Sequence, residues 1–275
     1  DITGENHWVK KQMDLYNEEA ISKGVRVIPS CGYDSLPSDI GTFFAVNQMN
    51  KSVKKVEVFH SASGGASGGT IESIFLMGKL PKEMRDPFLL NPQETVSDFQ
   101  RKKSADSLSI KWIEEAQKWS GLGLFSVANT RVVRRSAALM EMNQKSYGNN
   151  FVFKEYGAYA SKNSARIASI GLILGFLIIS SPLKWLVRRF LPKPGEGPSV
   201  EVQNNGWFKG VFVAEAEDGE KQVSTIYGDG DPGYKSTSKM LCESALTIAL
   251  SDNLPGGENF GGFLTPATGL GTVSY

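Results

Sequence analysis

The sequence is poor in the side chains that crosslink chains or hold metal ions. Only two cysteines, Cys31 and Cys242, and two histidines, His7 and His60, occur among 275 residues. Two distant cysteines make neither a disulfide framework nor a metal-type pair, which favours a reducing intracellular compartment. The histidines lack the spacing of a zinc-binding HExxH helix, so we expect no metal site.

The sequence also lacks a surplus of one charge. Its 30 lysines and arginines are balanced by 29 aspartates and glutamates, which gives a net charge of +1. Since binding to nucleic acid requires a basic excess that neutralises phosphates, we expect no nucleic acid partner. A composition of 40% hydrophobic and 21% charged residues is typical of a globular protein of one or two domains. The chain opens at Asp1 without a Met or a signal-like region, and we interpret it as trimmed at both ends.

The sequence is organised around residues 25–41, VRVIPSCGYDSLPSDIG. Its first half alternates apolar residues as a short buried strand does, and Gly32 and Asp34 lie in a dense run of turn residues. Asp34 or Ser35 is expected to cap the helix that follows, and Pro37 suits its first turn. Ligands bind at this kind of strand–turn–helix junction in open α/β sheets. A plain connection that binds nothing is the alternative.

Several segments resemble the saccharopine dehydrogenase-like oxidoreductase family, which also holds the trans-acting enoyl reductases. They are DITGE at residues 1–5, CGYDSLPSDIG at 31–41, a VxRSxxL-like run within 131–140, GDPGY at 230–234 and GGFLTPATGLG at 261–271. The resemblance implies an α/β fold: the C-terminal part of a Rossmann-type nucleotide-binding domain and a mixed-sheet α+β second domain. It further implies NADP or NAD as the cofactor and hydride transfer as the reaction, although the main pyrophosphate-binding fingerprint is absent from this chain.

The resemblance also indicates which residues line the site. A glycine-rich loop at 63–73 precedes a helix-like run without the lysine of a P-loop, so its plain interpretation is a flexible connection. In the family, a similar loop lies near the cofactor–substrate cleft. The residues expected to bind the cofactor are Thr3, Gly4, Glu5, Cys31, Gly32, Asp34 and Ser35, and the cleft candidates are Gly68, Gly69 and Thr70. No residue is assigned as catalytic.

Three regions are expected along the chain. Residues 1–50 would close the dinucleotide-binding domain, whose N-terminal part lies outside this chain. Residues 51–235 would form the substrate domain, and residues 236–275 a helix and loop that return to the dinucleotide-binding domain. Near the end of the second region, GDGDPG at 228–233 has the letters of a GxGxxG loop. Because its aspartates would repel a pyrophosphate and its proline removes a donor, we expect a turn there.

Hydrophobic spacing predicts a helix from Asn6 to about Lys23, with Val9, Met13, Tyr16 and Ala20 on one face. It also predicts three later helices with buried faces and a further helix at 131–140. In that further helix, Arg134 and Arg135 are expected in solvent, with an anionic substrate as the alternative partner. The predicted buried faces of the three later helices are Ile40, Phe43 and Phe44 in the first, Trp112, Ile113, Ala116 and Trp119 in the second, and Leu241, Ala245, Ile248 and Ala249 in the third, where Cys242 is expected to pack inside.

Residues 167–183 contain no charged side chain. Their length is near the lower edge of the roughly 17–25 residues that a membrane span needs. Cations and aromatic residues flank the run, as at a membrane interface. We therefore expect a hydrophobic anchor at 166–191, as a shallow hairpin or an interfacial helix, with a buried core helix as the alternative. The expected membrane-facing residues are Ile173, Phe176, Trp185, Arg188 and Arg189.

Together these features predict a saccharopine dehydrogenase-like, NAD(P)-dependent oxidoreductase that is associated with a membrane or lipid surface. Its substrate would be a small molecule, a lipid or an acyl compound, and the resemblance implies a mitochondrion or lipid droplet. A catalytically inactive accessory subunit of a larger membrane complex, with the same fold, is the main alternative. A free-standing binding module is a third.

Overall fold

The chain folds as a mixed α/β structure in the computed structural model, which describes residues 1–77, 81–106, 108–257 and 260–271. The strands in this part of the chain are β1 (Arg26–Val27), β2 (Val53–Ser63), β3 (Trp112–Ile113), β4 (Lys118–Gly121), β5 (Val152–Tyr159), β6 (Trp207–Ala216), β7 (Lys221–Asp229) and β8 (Gly262–Phe263). The helices are α1 (Asn6–Ser22), α2 (Leu36–Met49), α3 (Gly68–Met77), α4 (Asp98–Lys103), α5 (Ser126–Met142), α6 (Lys162–Ser180), α7 (Lys184–Arg188), α8 (Val200–Asn205), α9 (Thr237–Leu250) and α10 (Pro266–Leu270).

A six-stranded sheet forms the larger layer, in the order β3-β4-β5-β2-β6-β7. Only the β2–β5 pair is parallel within it, and its other neighbours are antiparallel. The alternation of β2 puts Val56 and Val58 on the face that packs against α2 and α5, where Phe153 and Phe212 join them in the main core. The predicted mixed sheet is therefore present, whereas the Rossmann-type assignment stays a prediction.

A second, two-stranded sheet brings the two ends of the chain together. β1 and β8 pair in parallel, with Arg26 opposite Gly262 and Val27 opposite Phe263. The helix α10 follows β8 directly and packs against α2 and α5. The turn that leads from β1 into α2, residues 28–35, therefore lies beside a segment more than 220 residues away in sequence, since Ile28 and Cys31 pack in one cluster with Leu264 and Leu270.

The predicted helix over residues 112–119 is wrong. Those residues form the β3–β4 hairpin, in which Trp112 pairs with Trp119 across the strands. The two indole rings meet edge to face with their centroids 5.9 Å apart. A spacing of seven residues is two turns of a helix, but a tight hairpin brings the same two positions together. Gln117, and not a glycine, adopts the positive φ of the turn. The sequence therefore lacks the glycine that usually marks a tight hairpin.

The expectation that the arginines of α5 lie in solvent, or face a substrate, is also wrong. Arg134 and Arg135 are both buried. Arg135 donates to the main-chain oxygens of Leu90 and Phe263, each at 2.6 Å. Arg134 donates to the main-chain oxygen of Pro87 at 2.9 Å, and also to others. These guanidinium groups therefore tie the irregular segment 81–106 and strand β8 to α5, because each can donate in several directions at once.

Two predicted helix faces are wrong, one in part and one entirely. In α2, Phe43 packs against the main core as predicted, but Phe44 is 45% exposed. The buried positions include Val46 and Met49, and also Gly41, where a side chain would overlap the ring of Phe212. In α9 the buried positions are Ser244 and Thr247, whereas the predicted Leu241, Ala245, Ile248 and Ala249 are exposed, as is Cys242. The apolar period was correct for a helix, but which face is covered depends on what packs there.

Other local predictions are confirmed. Residues 207–229 form the expected β-hairpin, with Gly219 in the left-handed conformation at its tip. The GDGDPG segment is a turn that starts a short helical segment. Both carboxylate oxygens of Asp231 accept hydrogen bonds, from the main-chain nitrogens of Tyr234 and Lys235. The Asp231 carboxylate therefore caps this helical segment, and its oxygens occupy the main-chain donors that an anion would need.

Candidate functional site

The loop at residues 1–5 packs directly on the turn at 31–35. Cys31 N donates to the main-chain oxygen of Asp1 at 2.8 Å, and Ser30 Oγ donates to that of Thr3 at 3.0 Å. These two hydrogen bonds join segments about thirty residues apart in sequence. The two segments that the sequence analysis placed at one site are therefore in contact.

Asp34 is the polar group left open at this contact. A Cβ atom on Gly4 would lie 3.0 Å from Asp34 Oδ2, so a side chain at this position would press on the carboxylate and displace it. Among the described residues, no hydrogen bond or ion pair reaches the Asp34 carboxylate. Burial raises the pKa of Asp34 to about 6. At neutral pH the carboxylate is therefore mostly ionised and is an available acceptor.

The turn itself is closely packed. A side chain at Gly32 would come within 3.3 Å of both Ile2 and Thr237. Thr237 Oγ1 accepts a hydrogen bond of 3.0 Å from Tyr33 N, so the start of α9 holds the turn from the other side. Cys31 is buried, and burial raises the pKa of its thiol. The thiol is therefore a protonated packing group beneath the turn, not an exposed nucleophile.

The predicted cap of α2 is wrong. Ser35 occupies the N-cap position, but its side chain accepts no hydrogen bond from the helix. Its Oγ donates instead to Asn129 Oδ1 at 3.0 Å, and both residues are buried. A buried amide oxygen needs a donor, whereas the end of a helix can be satisfied in other ways, so the interior contact prevails. Pro37 lies in the first turn of α2, as predicted.

The glycine-rich candidates lie at the start of α3. Ser73 Oγ of this helix donates to Glu5 Oε1 at 2.8 Å, which joins α3 to the first loop. Gly68 faces away from that loop: it is buried, its N donates to Glu196 O at 2.9 Å, and a side chain there would overlap the main chain of Lys193. Gly69 and Thr70 are less enclosed. The contact of α3 with the candidate site is therefore made by Ser73 and not by Gly68.

A buried polar network that was not predicted from the sequence lies beneath the turn. Ser38 Oγ donates to Glu155 Oε2 at 2.7 Å and lies 2.9 Å from His60 Nε2. Asn129 Nδ2 donates to Glu155 Oε1 at 2.8 Å. Burial lowers the pKa of His60, and the Glu155 charge opposes that shift. The signal was present, because the alternation of β2 puts His60 on the same face as Val56 and Val58.

This network does not have the geometry of a hydrolase triad. Ser38 and Glu155 both lie on the Nε2 side of His60, with Glu155 Oε2 at 3.7 Å from that nitrogen. In a triad, the carboxylate holds the opposite ring nitrogen, and His60 Nδ1 has no hydrogen-bond partner within the described residues. Ser38 has no exposed surface. The network supports the turn from below, where Tyr33 packs edge-on against the His60 ring.

The predicted membrane-facing residues lie on α6 and α7 and just beyond. Ile173 and Phe176 are exposed on α6, and Trp185 of α7 is 65% exposed. Arg188 forms an ion pair with Glu72 of α3, and Arg189 is exposed. By length and composition α6 could cross a membrane, and only 11% of its apolar stretch is buried inside the protein. Within the described residues α6 is therefore largely exposed and not buried in the core, whereas contact with a membrane stays a prediction.

Comparison with known proteins gives a consistent set of relatives. The chain is 29% identical to a Mycobacterium tuberculosis protein that carries the provisional name of a trans-acting enoyl reductase, over 98% of this chain and 69% of the relative. It is 28% identical to trans-acting enoyl reductases of Mycobacterium ulcerans and Mycobacterium leprae, with the same coverage. This chain is similar to enoyl reductases. No family model matches it.

These relatives support a general oxidoreductase function for the chain. The names state neither a cofactor nor a localisation, and they do not show the saccharopine dehydrogenase-like grouping. Within the described residues, no group of three histidine, cysteine, aspartate or glutamate side chains could hold a metal ion. The contact between the 1–5 loop and the 31–35 turn therefore remains the candidate site, with Asp34 as its open polar group.

Proposed function

We propose that the chain serves in an NADPH- or NADH-dependent reductase that saturates an activated carbon–carbon double bond of an acyl substrate. The observation that carries this proposal is the contact between the 1–5 loop and the 31–35 turn, which leaves the Asp34 carboxylate open beside Gly4. The names of the relatives support the same reaction class. The turn follows a parallel strand and starts a helix, where α/β proteins commonly bind ligands.

A nicotinamide dinucleotide would lie against this contact. Gly4 lets the first loop approach the Asp34 carboxylate, and Gly32 lets the turn pack closely against Ile2 and Thr237. Asp34 offers acceptor oxygens for hydroxyl or amide groups of a ligand, while Glu5 is held by Ser73. When bound, the dinucleotide would supply a hydride to one carbon of the double bond and be oxidised. The second carbon needs a proton, and Asp34, whose raised pKa lets it bind a proton more readily than an exposed aspartate does, is the candidate donor at this contact.

The test is cofactor retention and turnover by the full-length protein. We expect natively isolated protein to release a nicotinamide dinucleotide, and NADPH or NADH to be consumed when a trans-2-enoyl thioester is added. The variant Asp34→Asn should lower kcat at least about tenfold, because loss of one proton donor typically costs that much or more. Asp252→Asn, at an exposed aspartate, is the matched control. Protein without nucleotide and without turnover would contradict the proposal.

An inactive accessory subunit of a membrane complex is a second candidate function. The exposed apolar side of α6 favours it, because such a surface suits a membrane or another hydrophobic partner. In that case the protein should carry lipid or co-purify with membrane proteins and release no nucleotide. The grouping with saccharopine dehydrogenase-like enzymes, and a location at a mitochondrion or lipid droplet, are parts of the same proposal that fractionation of cells would test.

A further inference from the structure

The helix α6 and the segment after it expose an unusual amount of apolar surface. Ile167, Ile170, Leu174 and Leu177 recur at helical spacing, and each is more than half exposed. Gly171 and Gly175 have no other atom within 4 Å of where a side chain would be, so this part of α6 has open space beside it. The apolar surface continues into the next segment through Leu183, Trp185 and Phe190.

The charge around this surface is of one sign. Residues 161–195 contain six cations and no aspartate or glutamate, in a chain whose overall net charge is only +1. Arg166 precedes most of the apolar side chains, and Arg188, Arg189 and Lys193 follow them. Apolar side chains beside cations and an exposed tryptophan suit the interface of an anionic bilayer, where cations contact lipid phosphates. A soluble protein partner would need a matching acidic rim around an apolar groove.

The helix α3 connects this surface to the candidate site. On one side, Glu72 forms an ion pair with Arg188, whose guanidinium lies 5.7 Å from the centre of the Phe75 ring. On the other side, Ser73 donates to Glu5 in the first loop. The surface of α7 and the candidate site are therefore separated by one helix, which is about 10–12 Å wide. The side chains of Ile71 and Ile74 on this helix are only partly buried.

We propose that α6 and α7 dock on an anionic lipid surface, and that this surface presents the acyl chain of the substrate to the candidate site across α3. The substrate class is then a long-chain acyl compound that partitions into lipid, rather than a water-soluble one. The choice of substrate rests on the proposed function, whereas the docking does not. The apolar side of α6, the cations around it and the bridging contacts of α3 carry the proposal.

Docking is tested by flotation of the full-length protein with vesicles. We expect binding to phosphatidylcholine vesicles that contain phosphatidylglycerol to be at least about tenfold stronger than binding to phosphatidylcholine alone. The double variant Ile170→Asp with Leu174→Asp should lose binding about tenfold or more, because charged groups are costly in lipid. The matched control is Leu15→Asp with Leu250→Asp, two equally exposed leucines on other helices. Equal binding by both double variants, or no binding by any, would overturn the proposal.

The route is tested with a photoreactive trans-2-hexadecenoyl thioester placed in the same vesicles. Cross-links mapped by mass spectrometry should fall on α3 and be lost in the double variant on α6; cross-links confined to other elements would overturn the route. This readout does not need turnover. Cross-links on α3 without reduction of any thioester would sustain the inference and reject the proposed function. Reduction of a soluble short-chain thioester by protein that does not bind vesicles would sustain the proposed function and reject the inference.

Discussion

Protonation of Asp39 is expected to make the protein more stable in mildly acidic solution than at neutral pH. Asp39 lies in α2 with no exposed surface. Its Oδ2 accepts a hydrogen bond of 2.8 Å from Ala267 N, and its Oδ1 is hydrogen-bonded with Ser136 Oγ. Burial raises the pKa of Asp39 to about 7, which outweighs the opposing hydrogen bonds. The folded protein therefore holds this proton more tightly than the unfolded chain does.

The geometry around Ser136 agrees with a protonated carboxyl. The Ser136 hydroxyl lies within hydrogen-bond distance of Asp39 Oδ1, the main-chain oxygen of Val132 at 3.2 Å and Thr265 Oγ1 at 2.6 Å. A hydroxyl has one proton and can donate to only one of the three. If Asp39 is protonated, it can donate to Ser136, which then remains free to donate elsewhere.

The magnitude follows from the two pKa values. The ordinary value is 3.8 and the folded-state value is about 7. The stabilisation from the bound proton is fully present below pH 3.8 and is lost as the pH rises through 7, since the unfolded chain releases this proton first. A difference of about three units corresponds to a fall of about 4 kcal/mol in the free energy of unfolding. Asp34 acts in the same direction, because burial raises its pKa to about 6.

The measurement is urea unfolding of the full-length protein at a series of pH values between 4 and 8. The variant Asp39→Asn should remove most of the pH dependence, because the amide resembles the protonated carboxyl and can still accept from Ala267. Asp34→Asn separates the second contribution, and Asp252→Asn, at an exposed position, is the control. An unchanged slope in Asp39→Asn, or a loss of stability in that variant at neutral pH, would refute the reasoning.

Three further predictions concern the other buried and paired groups. Glu155→Gln should lower the pKa of His60 further, because the Glu155 charge now raises it, and NMR titration of the ring measures this; a rise would contradict the network. Arg135→Met leaves two buried main-chain oxygens unpaired and should cost about 2–5 kcal/mol in urea unfolding, with Arg135→Lys as the milder control. Alanine variants of Trp112 and Trp119, combined in a double-mutant cycle, should show a coupling of about 1 kcal/mol, and strict additivity would argue against the hairpin.

The elements that could be predicted from sequence are those whose signal is local. The alternation in β2 and the Asp-Gly tip of the β6–β7 hairpin are properties of adjacent residues, and both were predicted correctly. The helical character of α9 was also predicted, but its buried face was not. A period of 3.6 residues shows that one side of a helix is apolar, and only the neighbouring elements decide whether that side is covered.

The groups that were missed depend on contacts that are distant in sequence. Arg135 is a buried donor only because residues 85–91 and strand β8 bring main-chain oxygens to it. The network of Ser38, His60 and Glu155 joins three elements, and no spacing along the chain could reveal it. His60 was nevertheless detectable in part. An imidazole at an inward position of a buried strand implies a polar partner beneath the same sheet face.

Three of the five segments that resemble the saccharopine dehydrogenase-like family meet at one point in the structure, and that point is a structural junction. Asp39 belongs to CGYDSLPSDIG, Ser136 to the VxRSxxL-like run, and Thr265 to GGFLTPATGLG. Ser136 Oγ contacts both of the others, and all three residues are buried. A substitution at any one would leave a buried polar group unpaired. Packing alone therefore accounts for these three residues, without a role in catalysis. The proposed function therefore rests on Gly4 and Asp34, which lie in DITGE and CGYDSLPSDIG and have no comparable buried partner among the described residues.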